Sequence, residues 1–161
     1  MVDQELNAWA TALKMIKAGV RPPVVHLATG LPQGRLRELY YHVHGRSAPR
    51  GRVPNTAAKQ IRNVYEAIEA MLFARLYLNM AGDAGAFNGH MDSSLVIDAY
   101  HVYVKTLAGN ALDVTLAWYL ARDIRDGAIK IRTCLKCKAE YLYEPSSPFL
   151  RACHLCRLRN H

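Results

Sequence analysis

A chain of 161 residues, about half of them apolar and 21% charged, is long enough for one ordinary domain, or a domain with a small appendage. No run of eighteen apolar residues is present to span a membrane. The opening stretch MVDQELNAWATALKMIKAG carries acids and an amphipathic pattern where a signal peptide needs bases and uniform apolarity, so a cytoplasmic protein is expected. The net charge of +8 is unevenly spread: residues 33–62 hold seven bases against one acid and residues 130–161 seven against two, around a middle (63–129) with four against eight.

Most of the chain reads as helix. Leu6, Trp9, Ala10, Leu13 and Ile16 recur at steps of three and four, which predicts one apolar stripe on a helix ending near Ala18-Gly19. A short helix fits 22–29, with Pro22 and Pro23 at its start, where their missing N–H groups cost little. A third helix runs from Pro32 to about Val43 with Leu36, Leu39 and Tyr40 inward, followed by the Gly/Pro-rich basic loop GRSAPRGRVPN at 45–55. A long helix is predicted over 56–81, carrying Ile61, Val64, Tyr65, Ile68, Leu72 and Leu76, its end marked by AGDAGAFNGH. Two more fit 93–107 (Val96, Ala99, Tyr100, Tyr103, Leu107) and 112–126 (Leu116, Ala117, Leu120, Ile124). From Ile129 the pattern changes: AIKIRT and EYLYE alternate like short strands, with Pro145 and Pro148 in the turn. The expected fold is mainly α, with a helical body (1–127) for DNA and partner binding and a small zinc-ribbon-like module (128–161).

Within the body, PPVVHLATGLPQGRLRELYYHV (22–43) resembles a helix-turn-helix. Gly30 sits where the turn needs a left-handed residue, Val25 precedes it, and Leu31, Leu36 and Leu39 follow at packing offsets. His26 and Thr29 depart from the pattern, which prefers a small and an apolar residue there. Gln33, Arg35 and Arg37 then fall at the start of the second helix, the end that enters a major groove, and Gln and Arg are residue types that read adenine and guanine edges. Arg46, Arg50 and Arg52 in the following loop suit phosphates or a minor groove. The competing reading is a packed helical hairpin with a solvated basic surface.

All four cysteines lie in CLKCKAEYLYEPSSPFLRACHLC, as two CxxC pairs, Cys134/Cys137 and Cys153/Cys156, with fifteen residues between them. That spacing matches structural zinc sites, and the intervening residues suffice for a strand, a turn and a returning strand. In a reducing compartment a metal is favoured over disulfides. A redox CxxC needs one pair in a thioredoxin-like setting, which is absent. An iron–sulfur cluster would use the same ligands. Four thiolates close the coordination sphere, so one structural ion per chain is expected rather than a catalytic one. His154, between two ligands, is expected to face solvent or a phosphate. Lys136, Lys138, Arg151, Arg157 and Arg159, with Lys130 and Arg132, surround the cysteines and suit either a phosphate platform or, since zinc ribbons serve protein contacts as often, a partner-docking surface. The pair His42 and His44 lacks a carboxylate cluster, and no nucleophile–base pair, phosphate loop or open metal site is evident, so no enzyme is expected.

Over nearly its full length the chain resembles the FlhC family, subunits of the bacterial flagellar transcriptional activator FlhDC. The resemblance rests on LPQGRLRELYYHVHGRSAPRGRVP, IDAYHVYVK, LAWYLARDIRDGAIKIRTC and the final four cysteines. It implies a promoter-binding activator of flagellar operons in which two FlhC chains assemble with FlhD dimers on double-stranded DNA, bend or wrap it, and recruit RNA polymerase. It also implies that Cys134, Cys137, Cys153 and Cys156 bind a structural zinc. Family members often carry a longer basic tail after the last cysteine, where this sequence has five further residues. The apolar, acidic middle fits a surface for the partner or a second copy. The alternative is a zinc-ribbon interaction adaptor whose contact with nucleic acid is incidental.

Overall fold

The computed structural model describes residues 1–87, 90–106 and 112–160. Three helices, α1 (Val2–Lys17), α2 (Pro22–Thr29) and α3 (Gln33–His44), pack on one another at the N-terminus. Three more, α4 (Val64–Phe87), α5 (Ser93–Thr106) and α6 (Val114–Arg125), form the centre, with α1 also against α5. Strands β1 (Lys130–Thr133) and β2 (Glu140–Tyr143) pair antiparallel, Lys130 opposite Tyr143 and Thr133 opposite Glu140, and α7 (His154–Arg159) follows. Both β2 and α7 lie against α4. One buried cluster runs from Met15 and Ile16 through Leu36, Phe73, Ile97 and Leu120 to Leu142 and Leu150, so the cysteine-bearing segment shares its core with the body.

The short helices are set by their ends. Pro22 and Pro23 occupy the first positions of α2, and Gly30 closes it at φ 72°, a conformation a Cβ would strain. On α1 the predicted stripe is rotated: Ala12, Met15 and Ile16 are buried, whereas Leu6 is 62% exposed and Ala10 also faces outward. α1 packs against α2, α3 and α5 at once, which buries the flank holding Ala12 and Met15, and on another side Lys14 Nζ donates to Asp98 Oδ2 at 2.7 Å and Ser94 Oγ at 2.8 Å.

The long helix begins eight residues later than its periodicity predicts. Asn63 Oδ1 accepts from the Glu66 N–H at 2.9 Å, and Glu66 returns a carboxylate oxygen to the Arg62 N–H at 2.7 Å, a reciprocal cap that stops the helix from extending backward. Residues 56–60 form a separate turn. Its far end agrees with the sequence, since Gly82 (φ 68°, ψ 154°) breaks the helix before the last turn. Helices α5 and α6 match their predicted faces, with Val96, Ala99, Tyr103, Leu116, Ala117, Leu120 and Ile124 buried; Leu107 lies outside the described residues.

Asp123, 3% exposed, joins the 56–60 turn to α6. Its Oδ2 accepts from the Ala57 N–H at 2.7 Å and its Oδ1 from Arg122 Nη2 at 2.6 Å, while Arg122 also donates to the Asn55 carbonyl at 2.6 Å and covers the Tyr119 ring. Asp123→Ala strands a buried N–H and removes the carboxylate of a part-buried pair. It is expected to cost about 2–4 kcal/mol in urea unfolding. Asp123→Asn, which keeps an acceptor for the Ala57 N–H, should cost clearly less.

Candidate metal centre and basic faces

The hairpin brings the first cysteine pair to its tip. β1 ends at Thr133, and the chain turns through 134–139 with the Cys134 N–H donating to the Ala139 carbonyl (2.8 Å) and the Lys138 N–H to the Cys134 carbonyl (2.9 Å). Lys138 adopts φ 63°, a left-handed backbone rarely taken by a residue with a Cβ, and it completes the tight turn around the sulfurs. The second pair sits at the opening of α7, where Cys153 is the N-cap and Cys156 lies one turn on. The returning strand expected before that pair is replaced by a turn: the Glu144 N–H bonds the Leu150 carbonyl at 3.1 Å, and residues 144–152 lead straight into the helix.

The four sulfurs converge. Cys134 and Cys156 Sγ are 3.7 Å apart, Cys137 and Cys153 Sγ 3.5 Å, and all four ligand atoms lie within 4.8 Å of one another. A tetrahedral ion with metal–sulfur bonds near 2.3 Å requires sulfur–sulfur edges of about 3.8 Å, so the set fits a tetrathiolate ion. Disulfides, with sulfurs about 2.05 Å apart, do not describe it, and all four cysteines are free thiols.

The two pairs repeat one electrostatic device. The N–H groups of Cys137 and Lys136 point at Cys134 and hold its thiol down to about 6, and those of Cys156 and Leu155 act the same way on Cys153. At Cys153 burial outweighs them and its thiol is raised; hydrogen bonding to Cys137, together with burial, raises Cys156 to about 12. At neutral pH, metal uptake therefore displaces protons from Cys153 and Cys156, and falling pH weakens metal retention.

His154 is not at the surface. It is 2% exposed, its ring meets Tyr141 edge-on at 5.9 Å, and neither ring nitrogen has a hydrogen-bond partner. The expected solvent- or phosphate-facing role is thus corrected: as the first residue of α7 it turns inward onto β2. Burial drives its pKa down to about 4, so it packs as a neutral ring.

The basic candidates fall into two groups. On α3, Arg35 and Arg37 are exposed and Gln33 half-exposed, with Arg35 3.8 Å from Glu38 and Arg37 Nη2 3.3 Å from Gln33 Oε1, while Leu36 and Tyr40 on the other side are buried. Arg46, Arg50 and Arg52 follow, all exposed. Around the cysteines, Lys136, Lys138, Arg151 and Arg159 are exposed. Arg157 is half-buried, donating to the Pro148 carbonyl at 2.5 Å and covering Phe149, and Arg132 lies 3.6 Å over the Tyr143 ring. His44 has no metal-site partner; its Nε2 meets the Ile16 carbonyl at 2.7 Å, tying α3 to α1. Among the described residues no helix is long and apolar enough to cross a membrane.

Fold and site together define a mainly helical, basic protein closed by a cluster of four cysteines placed where they could hold a metal ion. Comparison with known families gives the particular one. The family model described as "Flagellar transcriptional activator (FlhC)" matches residues 1–160, and the chain belongs to that family. Among curated relatives named flagellar transcriptional regulator FlhC, that of Thauera aminoaromatica is 25% identical, over 98% of this chain and 80% of its own. That of Pectobacterium carotovorum is 26% identical, over 97% and 81%. That of Gallionella capsiferriformans (strain ES-2) is 29% identical, over 81% and 72%.

Cys153→Ser replaces a thiolate with a hydroxyl that does not ionise at neutral pH. Elemental analysis of the purified variant is expected to find well under one ion per chain, and its melting temperature should fall. Metal content equal to that of the parent chain would exclude Cys153 as a ligand.

Proposed function

We propose that the chain acts as a promoter-binding subunit that anchors a bacterial flagellar activator to double-stranded DNA together with FlhD. The observation that carries this reading is the split character of α3: Arg35 and Arg37 lie outside, with Leu36, Leu39 and Tyr40 packed toward the body. α2 and α3 then act as a helix-turn-helix pair, with Gln33, Arg35 and Arg37 reading bases and Arg46, Arg50 and Arg52 holding phosphates. The module binds one structural zinc through Cys134, Cys137, Cys153 and Cys156, and presents Lys136, Lys138, Arg151, Arg157 and Arg159 to the backbone of the same duplex. Two such chains with FlhD dimers would span a composite site and recruit RNA polymerase in the cytoplasm. The mechanism is positioning, with no chemical step. Helix ends and a metal-held turn fix cationic side chains in advance, so little ordering entropy is lost on binding.

One observation favours a second reading for the module. Leu135, between the first two ligands, is 90% exposed, and Leu155, between the other two, is 38% exposed. An apolar tip beside each knuckle suits a protein partner, such as FlhD or polymerase.

The two readings separate by salt and sequence dependence, followed by fluorescence anisotropy on a flagellar promoter fragment and a scrambled duplex, with and without FlhD. A surface contacting several phosphates should lose about a thousandfold in affinity between 50 and 200 mM salt. Arg35→Ala is expected to remove about 1–3 kcal/mol of promoter binding and much less from the scrambled duplex. Equal losses on both would make Arg35 a phosphate contact, and salt-insensitive binding to both duplexes would leave the protein-docking reading.

A further inference from the structure

A cleft of about 450 Å³ lies where α2, α3 and the basic loop meet, lined by Arg21, Pro22 and Pro23, by Arg37, and by residues 47–51 including Arg50. No carboxylate lines it, and none of the three arginines has an acidic partner within ion-pair distance among the described residues. Arg37 has only the neutral Gln33 amide, and Arg50 has no side-chain hydrogen bond or ion pair among the described residues. Arg21 is the fixed member: its Nη2 donates to the Gly51 carbonyl at 2.6 Å, which tethers the loop across the cleft, and its Nε–H is buried without an acceptor.

Three arginines lining one cleft with no carboxylate among its lining residues repel one another, and an anion seated among them relieves that repulsion. The start of α2 does not supply the binding groups itself. Pro22 and Pro23 have no N–H, and the N–H groups of Val24 and Val25 are both directed to the Arg21 carbonyl. The site's donors are therefore arginine side chains, whose planar forks match phosphate oxygens in pairs.

We propose that Arg21, Arg37 and Arg50 form one phosphate-binding cleft that seats a DNA backbone phosphate next to the bases read by Gln33 and Arg35 of α3, which assigns Arg37 to the backbone instead of a base. The proposal rests on the DNA-binding reading above and adds to it a residue, Arg21, that lies outside both basic segments of the sequence. Because Arg37 belongs both to the cleft and to the exposed flank of α3, a phosphate held there fixes how far the first turn of α3 enters the groove. The cleft thereby sets register without sensing sequence.

The test uses the intact chain with FlhD, on promoter and scrambled duplexes over a range of salt. Arg21→Gln should weaken both duplexes by a similar factor and flatten the salt slope by about one unit, and Arg21→Lys should restore the slope. Arg21→Gln also removes the tether to Gly51, so Arg50→Gln, which breaks no contact within the fold, serves as the second variant and should give the same flattening. Promoter binding with an unchanged slope in both variants overturns the cleft while leaving the activator reading intact. No binding by the parent chain removes both. A third arm exchanges chloride for inorganic phosphate at constant ionic strength. Saturable phosphate binding that Arg21→Gln abolishes, with DNA slopes unaltered, would assign the cleft to a free phosphorylated ligand and overturn its role on DNA.

Discussion

Four sulfurs held within 4.8 Å of one another are the constraint on which the C-terminal quarter of the chain depends. The elements that carry them are weak on their own. An isolated two-stranded hairpin is marginal in water, and a six-residue helix is far too short to persist without tertiary support. Thiolates brought this close also repel. A tetrahedral ion held there would convert that repulsion into bonds and close the loop between the two pairs at once. The remaining support comes from α4: Leu142 and Leu150 join the body's core, and Arg75 on α4 pairs with Glu140 on β2. The cysteine-bearing segment is thus fastened by the body at one end, and at the other its four sulfurs are placed to hold a metal ion, with Lys136 and Lys138 exposed beside them.

The N-terminal three helices are fixed by a different means, polar bonds at helix ends. His44 reaches the Ile16 carbonyl, His26 Nδ1 lies 2.7 Å from the Leu31 carbonyl, and the Thr29 hydroxyl donates to the Val25 carbonyl while accepting from the Leu31 N–H. His26 and Thr29 are the two positions that depart from the helix-turn-helix pattern. Both hold the turn between α2 and α3, beside the buried Val25, Leu31 and Leu36.

What the sequence revealed and what it concealed follow from the range of the interactions involved. The cysteine set was legible because ligand spacing is local, α5 because it buries a stripe of its own periodicity, and α6 because its apolar run is buried on nearly every side. The start of α4 was hidden: residues 56–61 continue an apolar repeat, yet Asn63 and Glu66 cap the helix after it and a carboxylate 66 residues away takes the Ala57 N–H. The rotation of α1 was hidden likewise, since α1 meets α2, α3 and α5 only in the folded chain. α7 was missed because two of its six residues are the ligand Cys156 and the inward-facing His154, which leaves too few positions for a helical stripe. Arg21 escaped notice because it stands in a nearly neutral segment, and only the fold brings it to Arg37 and Arg50.

The same distinction explains where the net charge of +8 resides. Basic residues of the body that have carboxylate partners are structural: Lys14 with Asp98, Arg62 with Glu66, Arg75 with Glu140 and Arg122 with Asp123. The excess remains on Arg37, Arg46, Arg50 and Arg52 and on Lys136, Lys138, Arg151 and Arg159, none of which is paired with an acid among the described residues. Arg35 has only an exposed contact to Glu38 at 3.8 Å, a kind of pair worth at most about 1 kcal/mol and readily exchanged for a stronger anion. Folding therefore uses Glu66, Asp98, Asp123 and Glu140 to neutralise bases that hold elements together, and it leaves most of the flanking bases without an acidic partner among the described residues. At physiological ionic strength, charges separated by more than about 8 Å are largely screened, so each group must meet its anion directly. A single ligand that met both groups would have to present negative charge along the whole span from the basic loop to the cysteine module.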